Sequence, residues 1–271
     1  MEETLKKRTL IECIHRFLWK IKVWIQEELR CKKYAYLLKR NQRYRNKFLG
    51  QRCVIIGNGP SLTIRDLELL QTKNVVTFGA NRIYKMFDET SWRPTFYGLC
   101  DANLYGKDKD VINALPLEKF MPLDIYSLYH HEIGEKSNVN VFSRIPFQIF
   151  RTMPKFSPDL EGRLSEGGTI TYHLLQIAVY MGFKEIYLIG CDFKFSFGIS
   201  VDGKMVKDET VKDHFAKDDK KTDTMPDLQK NLRAYRSAKR YADHHDIKIY
   251  NATRGGNLEV FERRDFDLSF A

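Results

Sequence analysis

Residues 53–62, Cys53-Val54-Ile55-Ile56-Gly57-Asn58-Gly59-Pro60-Ser61-Leu62, decide the fold. Four apolar residues make a short buried strand. The run breaks at Gly57–Ser61, and Ile64, Leu67, Leu69 and Leu70 then carry the spacing of a helix. Strand, glycine turn and helix bring backbone N–H groups and a helix start up to a phosphate in α/β proteins. Glycine permits close backbone approach, Pro60 suits a first helical turn, and Asn58 and Ser61 add side-chain hydrogen bonds. The same turn also serves as a bare βα corner.

The rest of the chain repeats the pattern. Residues 74–79 and 94–100 read as strands ending at Asn81 and Asp101. Residues 121–129 and 139–142 read as shorter strands, and 143–166 as irregular. Gly167-Gly168-Thr169 opens an apolar helix to Met181, capped by Thr169 or Thr171, with Gly182 at its end. Residues 185–190 form a strand with a near-continuous apolar run, followed by Asp192. Residues 227–245 form a helix, and 247–250 a strand ending at Asn251. This alternation specifies an α/β fold, a mostly parallel Rossmann-like sheet with helices on both faces. Residues 194–226 are long and polar and read as a lid.

Asn58, Asn81, Asp101, Asp192 and Asn251 each follow an apolar strand. In a parallel sheet those ends share one edge, where ligands bind. Asparagines suit base edges and ribose hydroxyls, while Gly57–Ser61 and Gly168–Thr169 offer N–H groups to phosphate. The chain lacks the P-loop pattern and the dinucleotide G-x-G-x-x-G with its following acid. His214, with Asp213 or Asp218 to orient or replace it, is the candidate base. The pairs His130-His131 and His244-His245 lack metal-ligand partners at sensible spacing. No metal is obligatory, and Asp101 and Asp192 are the carboxylates available to magnesium.

The net charge of +10 lies in the N-terminal arm: residues 1–52 hold 15 Lys and Arg against 5 Asp and Glu, and the remainder is neutral. A neutral body argues against nucleic acid as a partner. Leu10, Ile14, Phe17, Leu18, Ile21, Trp24 and Ile25 form one helical stripe beside these charges. Residues 1–50 thus form a basic amphipathic helical extension to a domain over 51–271. Residues 8–47 suit an anionic membrane surface, or else the stripe packs on the domain or on a partner subunit of a homo-oligomer. No apolar run is long enough to span a bilayer, and no signal cleavage site follows the stripe. Five scattered cysteines without a C-x-x-C pair indicate a reducing compartment and no zinc site. The expected place is cytoplasmic, peripheral at the inner face of the plasma membrane.

The segments CVIIGNGPSL, FGANRIY, GGTITYHLLQIAVYMGFKEIYLIGCDF and IYNATRGGNLEVF resemble the family of MptE-like 6-hydroxymethylpterin diphosphokinases and the central domain of Maf flagellin glycosyltransferases. The glycine turn and the 185–193 strand are also similar to bacterial sialyltransferases of glycosyltransferase family 42. That resemblance implies a variant GT-A fold, a CMP-activated sialic acid donor, inversion at the anomeric carbon and no strict metal requirement. It implies that Gly57–Ser61 and Asn81 hold the CMP donor and that a lid, here 194–226, carries a catalytic His near His214 or Asp218. The family's phosphate-binding lid tyrosines have no counterpart in 194–226. The expected activity is transfer of a nonulosonate, such as sialic acid or a related acidic sugar, to a cell-surface glycan or lipid-linked acceptor. The alternatives are a pterin diphosphokinase using ATP and magnesium, and a non-catalytic, membrane-associated glycan assembly factor.

Overall fold

The computed structural model describes residues 10–145, 153–194, 197–199, 205–207 and 227–270. The first seven strands are β1 (Arg52–Ile56), β2 (Val76–Ala80), β3 (Phe96–Gly98), β4 (Glu118–Pro122), β5 (Val139–Ile145), β6 (Arg163–Ser165) and β7 (Glu185–Ile189). Strands β8 (Phe197–Ile199) and β9 (Met205–Lys207) pair antiparallel inside the segment expected as a lid. The rest of that segment, with His214 and Asp218, lies outside the described residues. Strands β10 (Lys248–Asn251) and β11 (Glu262–Arg263) complete the chain. Nine strands form one sheet in the order β11-β10-β7-β1-β2-β3-β4-β5-β6, and every pairing in it is parallel.

The helices are α1 (Leu10–Lys33), α2 (Ala35–Arg40), α3 (Ile64–Thr72), α4 (Ala102–Ala114), α5 (Leu123–Leu128), α6 (His130–Ile133), α7 (Ile170–Tyr180), α8 (Leu228–His244) and α9 (Phe266–Phe270). The strands alternate between two cores. Cys53, Ile55, Phe78, Phe96, Phe120, Phe142, Ile186 and Leu188 face α7 and α8. Val54, Ile56, Tyr97, Met121, Val141, Tyr187 and Ile189 face α2, α3, α4, α5 and α9. This two-sided burial is why the strands read as continuous apolar runs.

Several expected elements are corrected. Residues 121–129 are the end of β4 followed by helix α5, because an apolar run this short fits either period. Residues 143–166 are not wholly irregular: β5 runs to Ile145, and Arg163–Ser165 is the edge strand β6. The boundary at residue 50 also moves. Tyr34, Leu37, Leu38 and Tyr44 are buried in the domain cores, and the Asn41 amide donates to the carbonyls of Val141 and Leu160. The extension proper is α1, whose apolar stripe does not pack on its own domain: Phe17, Leu18, Trp24 and Ile25 are about half exposed.

Candidate functional site

The sheet reverses its winding direction at β1, which lies between β2 and β7. In open parallel sheets ligands bind at such a switch point, beside the strand C-termini. The loop after β1 and the loop after β7 meet there at very short range. A β-carbon on Gly57 would lie 2.3 Å from the Gly190 carbonyl oxygen, and one on Gly59 would lie 1.8 Å from Asp192 Oδ2. The glycines are thus required for loop-to-loop contact.

The turn is not the open ring of donors that its sequence suggests. The Gly57 N–H donates to the Ile189 carbonyl, the Gly59 N–H to that of Gly190, and the Leu62 N–H to that of Gly59. Pro60 lies in a turn ahead of the helix and has no N–H to offer. Helix α3 begins only after Thr63, where Thr63 and Asp66 form a reciprocal capping box that satisfies its first donors. Ser61 Oγ donates to Asp192 Oδ2 at 2.8 Å. Burial raises the Asp192 carboxyl above its ordinary range, against the lowering effect of Ser61.

The two asparagines behave differently. Asn58 Nδ2 donates to the Ala80 carbonyl at 2.9 Å, which locks the side chain between β1 and β2. Asn81 follows directly, in the left-handed region at φ 47°, with its carbonyl accepting from the Tyr97 hydroxyl. Among the described residues, Oδ1 of Asn58 and Oδ1 of Asn81 are buried and have no hydrogen-bond partner. Two orphaned acceptors at neighbouring strand ends call for donors from ordered water or from a ligand, since an unmet buried acceptor costs about 1–3 kcal/mol.

The other expected site residues have structural commitments. Asp101 Oδ1 accepts the N–H groups of Asn103 and Leu104 and so caps α4. Asn251 is fully buried: Nδ2 donates to the Leu258 carbonyl and Oδ1 accepts from the Thr253 N–H. It shapes the 251–258 loop rather than lining the crevice. Gly168 lies at φ 79°, its N–H donating to Glu166 Oε1, and Thr169 caps α7 through the Thr171 N–H. Asp101 and Asp192 do not fit a magnesium site: the first holds a helix start, the second accepts from Ser61, and no group of three or more His, Cys, Asp or Glu gathers for a metal among the described residues.

A charged cluster at the ends of β4, β5 and β6 escaped the sequence reading. Arg144 pairs with Asp124 and, at 3.2 Å, with Glu166. Lys230 lies 3.6 Å from Glu166, and His173 Nε2 3.7 Å. Burial works to raise the Glu166 carboxyl, but the charges of His173 when protonated, Arg144 and Lys230 bring it down to about 2. The available signal was a charged residue directly after a strand, hidden because 143–166 lacks a clear alternation.

His173 is fully buried, and neither ring nitrogen has a hydrogen-bond partner among the described residues. Burial pushes it down to about 4, so it is neutral at pH 7. The folded state binds this proton less well than the unfolded chain does. The stability it contributes is complete above pH 6.5 and is lost as pH falls towards 4, to about 3 kcal/mol. His173→Met, which removes no hydrogen bond, is expected to flatten the pH dependence of urea midpoints across that window. An unchanged slope would contradict the buried neutral imidazole.

These features define a Rossmann-like α/β fold with a polar cluster at its switch point. Residues 30–198 match the family described as 6-hydroxymethylpterin diphosphokinase MptE-like, and the chain belongs to that family. Among solved structures, the Maf glycosyltransferase from Magnetospirillum magneticum AMB-1 matches at a TM-score of 0.51 and 18% identity. The match covers 82% of this chain and 35% of that one, so the chain spans about a third of that protein, and the likeness is one of fold. No curated protein sequence matches. No helix among the described residues is long and apolar enough to cross a membrane.

Proposed function

We propose that the protein is an inverting glycosyltransferase that moves a nonulosonate, such as sialic acid or a related acidic sugar, from a CMP donor to a cell-surface glycan or lipid-linked acceptor. The orphaned Oδ1 atoms of Asn58 and Asn81 carry this reading. They are acceptors, and a nucleoside offers donors in its ribose hydroxyls and, for cytosine, its amino group. The cation offered to the phosphate is Lys230, whose stem lies beside Gly168 at the start of α7; the N–H groups of Gly168 and Thr171 are held there by Glu166 and Thr169. Asp192 borders the crevice. The acceptor hydroxyl gives its proton to His214 or to Asp218 as it attacks the anomeric carbon, and CMP leaves with the electron pair of the broken bond.

The family name favours a second reading, diphosphate transfer from ATP to a pterin. The commitments of Asp101 and Asp192 weigh against them as magnesium ligands. CMP bound without transfer to any acceptor would favour the assembly-factor reading instead.

The decisive variant is Asn81→Gly, since glycine accepts the left-handed backbone while removing Oδ1. It is expected to weaken CMP binding about tenfold, the loss of one hydrogen bond worth about 1.4 kcal/mol. Calorimetric titration of CMP into wild type and variant checks this. Equal affinities would remove Asn81 from the site.

A further inference from the structure

The remaining feature without an occupant is α1. Successive contacts fix its direction. Arg40 donates to the Val139 carbonyl at the start of β5. Further along that strand, the Ser143 hydroxyl donates to Glu27 at 2.7 Å and meets the Cys31 thiol at 3.2 Å. Glu28 pairs with Arg163 on the neighbouring edge strand. Running backwards along the helix is therefore running forwards along β5, which ends at Ile145. The turns before Glu27 extend past the C-terminal edge of the sheet, the edge that carries the crevice. From Glu27 back to Leu10 this is roughly 25 Å of helix.

That projecting length presents its apolar residues to solvent. Ile14 is 47% exposed, Phe17 51%, Leu18 55%, Trp24 52% and Ile25 46%, with Ile21 among them at 38%. Their positions cover an arc of roughly 120°, broader than the two-position seam of a coiled coil. Lys20 and Lys22 border the arc, and Lys32 and Lys33 follow. Two copies pairing here would bring two strongly basic arms together, whereas anionic lipid headgroups would neutralise them. An aromatic and aliphatic face bordered by lysines, with no helix among the described residues fit to cross a bilayer, is the pattern of a helix lying in the membrane interface.

We propose that the protein docks on an anionic membrane leaflet through the face of α1 formed by Ile14, Phe17, Leu18, Ile21, Trp24 and Ile25, which lies on the same side of the domain as the strand-end crevice. The docking stands on its own. Its consequence, that the sugar acceptor is lipid-linked and reached at the membrane surface, rests on the transferase reading.

The test uses the full chain with vesicles of phosphatidylcholine alone or with about a third phosphatidylglycerol, a fraction at which each nearby basic residue adds measurable attraction. Sedimentation with the anionic vesicles is expected to exceed that with neutral ones at least tenfold. Emission from Trp24, on the docking face, shifts blue and is quenched by brominated lipid, while the buried Trp92 is not. The double variant Phe17→Glu/Ile21→Glu changes only exposed positions. It is expected to lose vesicle binding at least tenfold while keeping the wild-type melting temperature and CMP affinity. Failure to bind anionic vesicles, equal binding by wild type and variant, or a wild-type dimer in solution that the variant dissociates would each overturn the docking. Failure of the nucleotide reading would show instead as absent CMP binding with vesicle binding intact.

Discussion

Gly57→Ala is expected to destabilise the domain by about 3 kcal/mol, at the upper end of what overpacking costs. Its β-carbon would lie 2.3 Å from the Gly190 carbonyl oxygen and 2.9 Å from the carbonyl carbon. Both are backbone atoms, so no side chain can swing aside. Gly190 itself sits at φ 61°, and a β-carbon there would approach the Gly57 carbonyl oxygen at 2.7 Å. The two loops therefore cannot separate without breaking the Gly57-to-Ile189 and Gly59-to-Gly190 hydrogen bonds. For a chain of this size the loss corresponds to roughly 5 °C in Tm. Gly134→Ala is the control. Gly57 is not at positive φ, so its cost is the contact alone, whereas Gly134 sits at φ 66° and a β-carbon there meets nothing within 4 Å, so it carries only the backbone term of about 1 kcal/mol. If Gly57→Ala melts with wild type while Gly134→Ala does not, the contact between the β1 and β7 loops is not what holds the crevice.

Arg144→Met is the second large effect, about 3 kcal/mol at neutral pH. Arg144 stands between Asp124 and Glu166, and its removal leaves two carboxylates facing each other at the strand edge without their shared cation. Met keeps much of the packing volume, so the loss reports charge. The pH dependence fixes the cause. Glu166 is held down to about 2, so its stabilising contribution is present above its ordinary value near 4.5 and is lost as pH falls towards 2. Without Arg144 the folded-state carboxyl titrates higher, and the gap between variant and wild type narrows below pH 4.5. Adding Glu166→Gln to Arg144→Met is expected to restore part of the loss, a coupling that a double-mutant cycle reads from urea midpoints. Additive losses with a pH-independent gap would contradict the ion cluster.

The sheet was legible where strands are buried on both faces. Residues 53–56 and 186–189 give uninterrupted apolar runs, and both lie inside the sheet, where neither face meets water. Legibility fell off towards the β6 edge. Strand β6 has only three residues, and the turns of α5 follow β4 without a glycine or an asparagine to separate them. Asp101 was seen, but as a ligand group. Its carboxylate instead caps α4, which is the other common reason for Asp after a strand.

The glycine turn shows why site residues are harder to read than folds. A phosphate cradle and a tight loop-to-loop contact both need glycine, so Gly57 and Gly59 could not separate the two in sequence. The hydrogen bonds to Ile189 and Gly190 do separate them. The useful chemistry shifts from the backbone of the turn to the side chains of Asn58 and Asn81, whose unmet oxygens only the fold reveals. In the sequence His173 is one polar position in an apolar helix, and only its packing against Phe142 and Glu166 makes it a pH-sensitive group.

The most direct test of the account is a thermal-shift panel of CMP, UDP, GDP and ATP, each with and without magnesium, on wild type and on Asn58→Ala/Asn81→Gly. The account predicts that CMP raises the melting temperature of wild type without magnesium, by an amount that grows with its concentration, and that the double variant loses that rise. A rise with ATP that requires magnesium and no rise with CMP, or a CMP response that survives both substitutions, would contradict it.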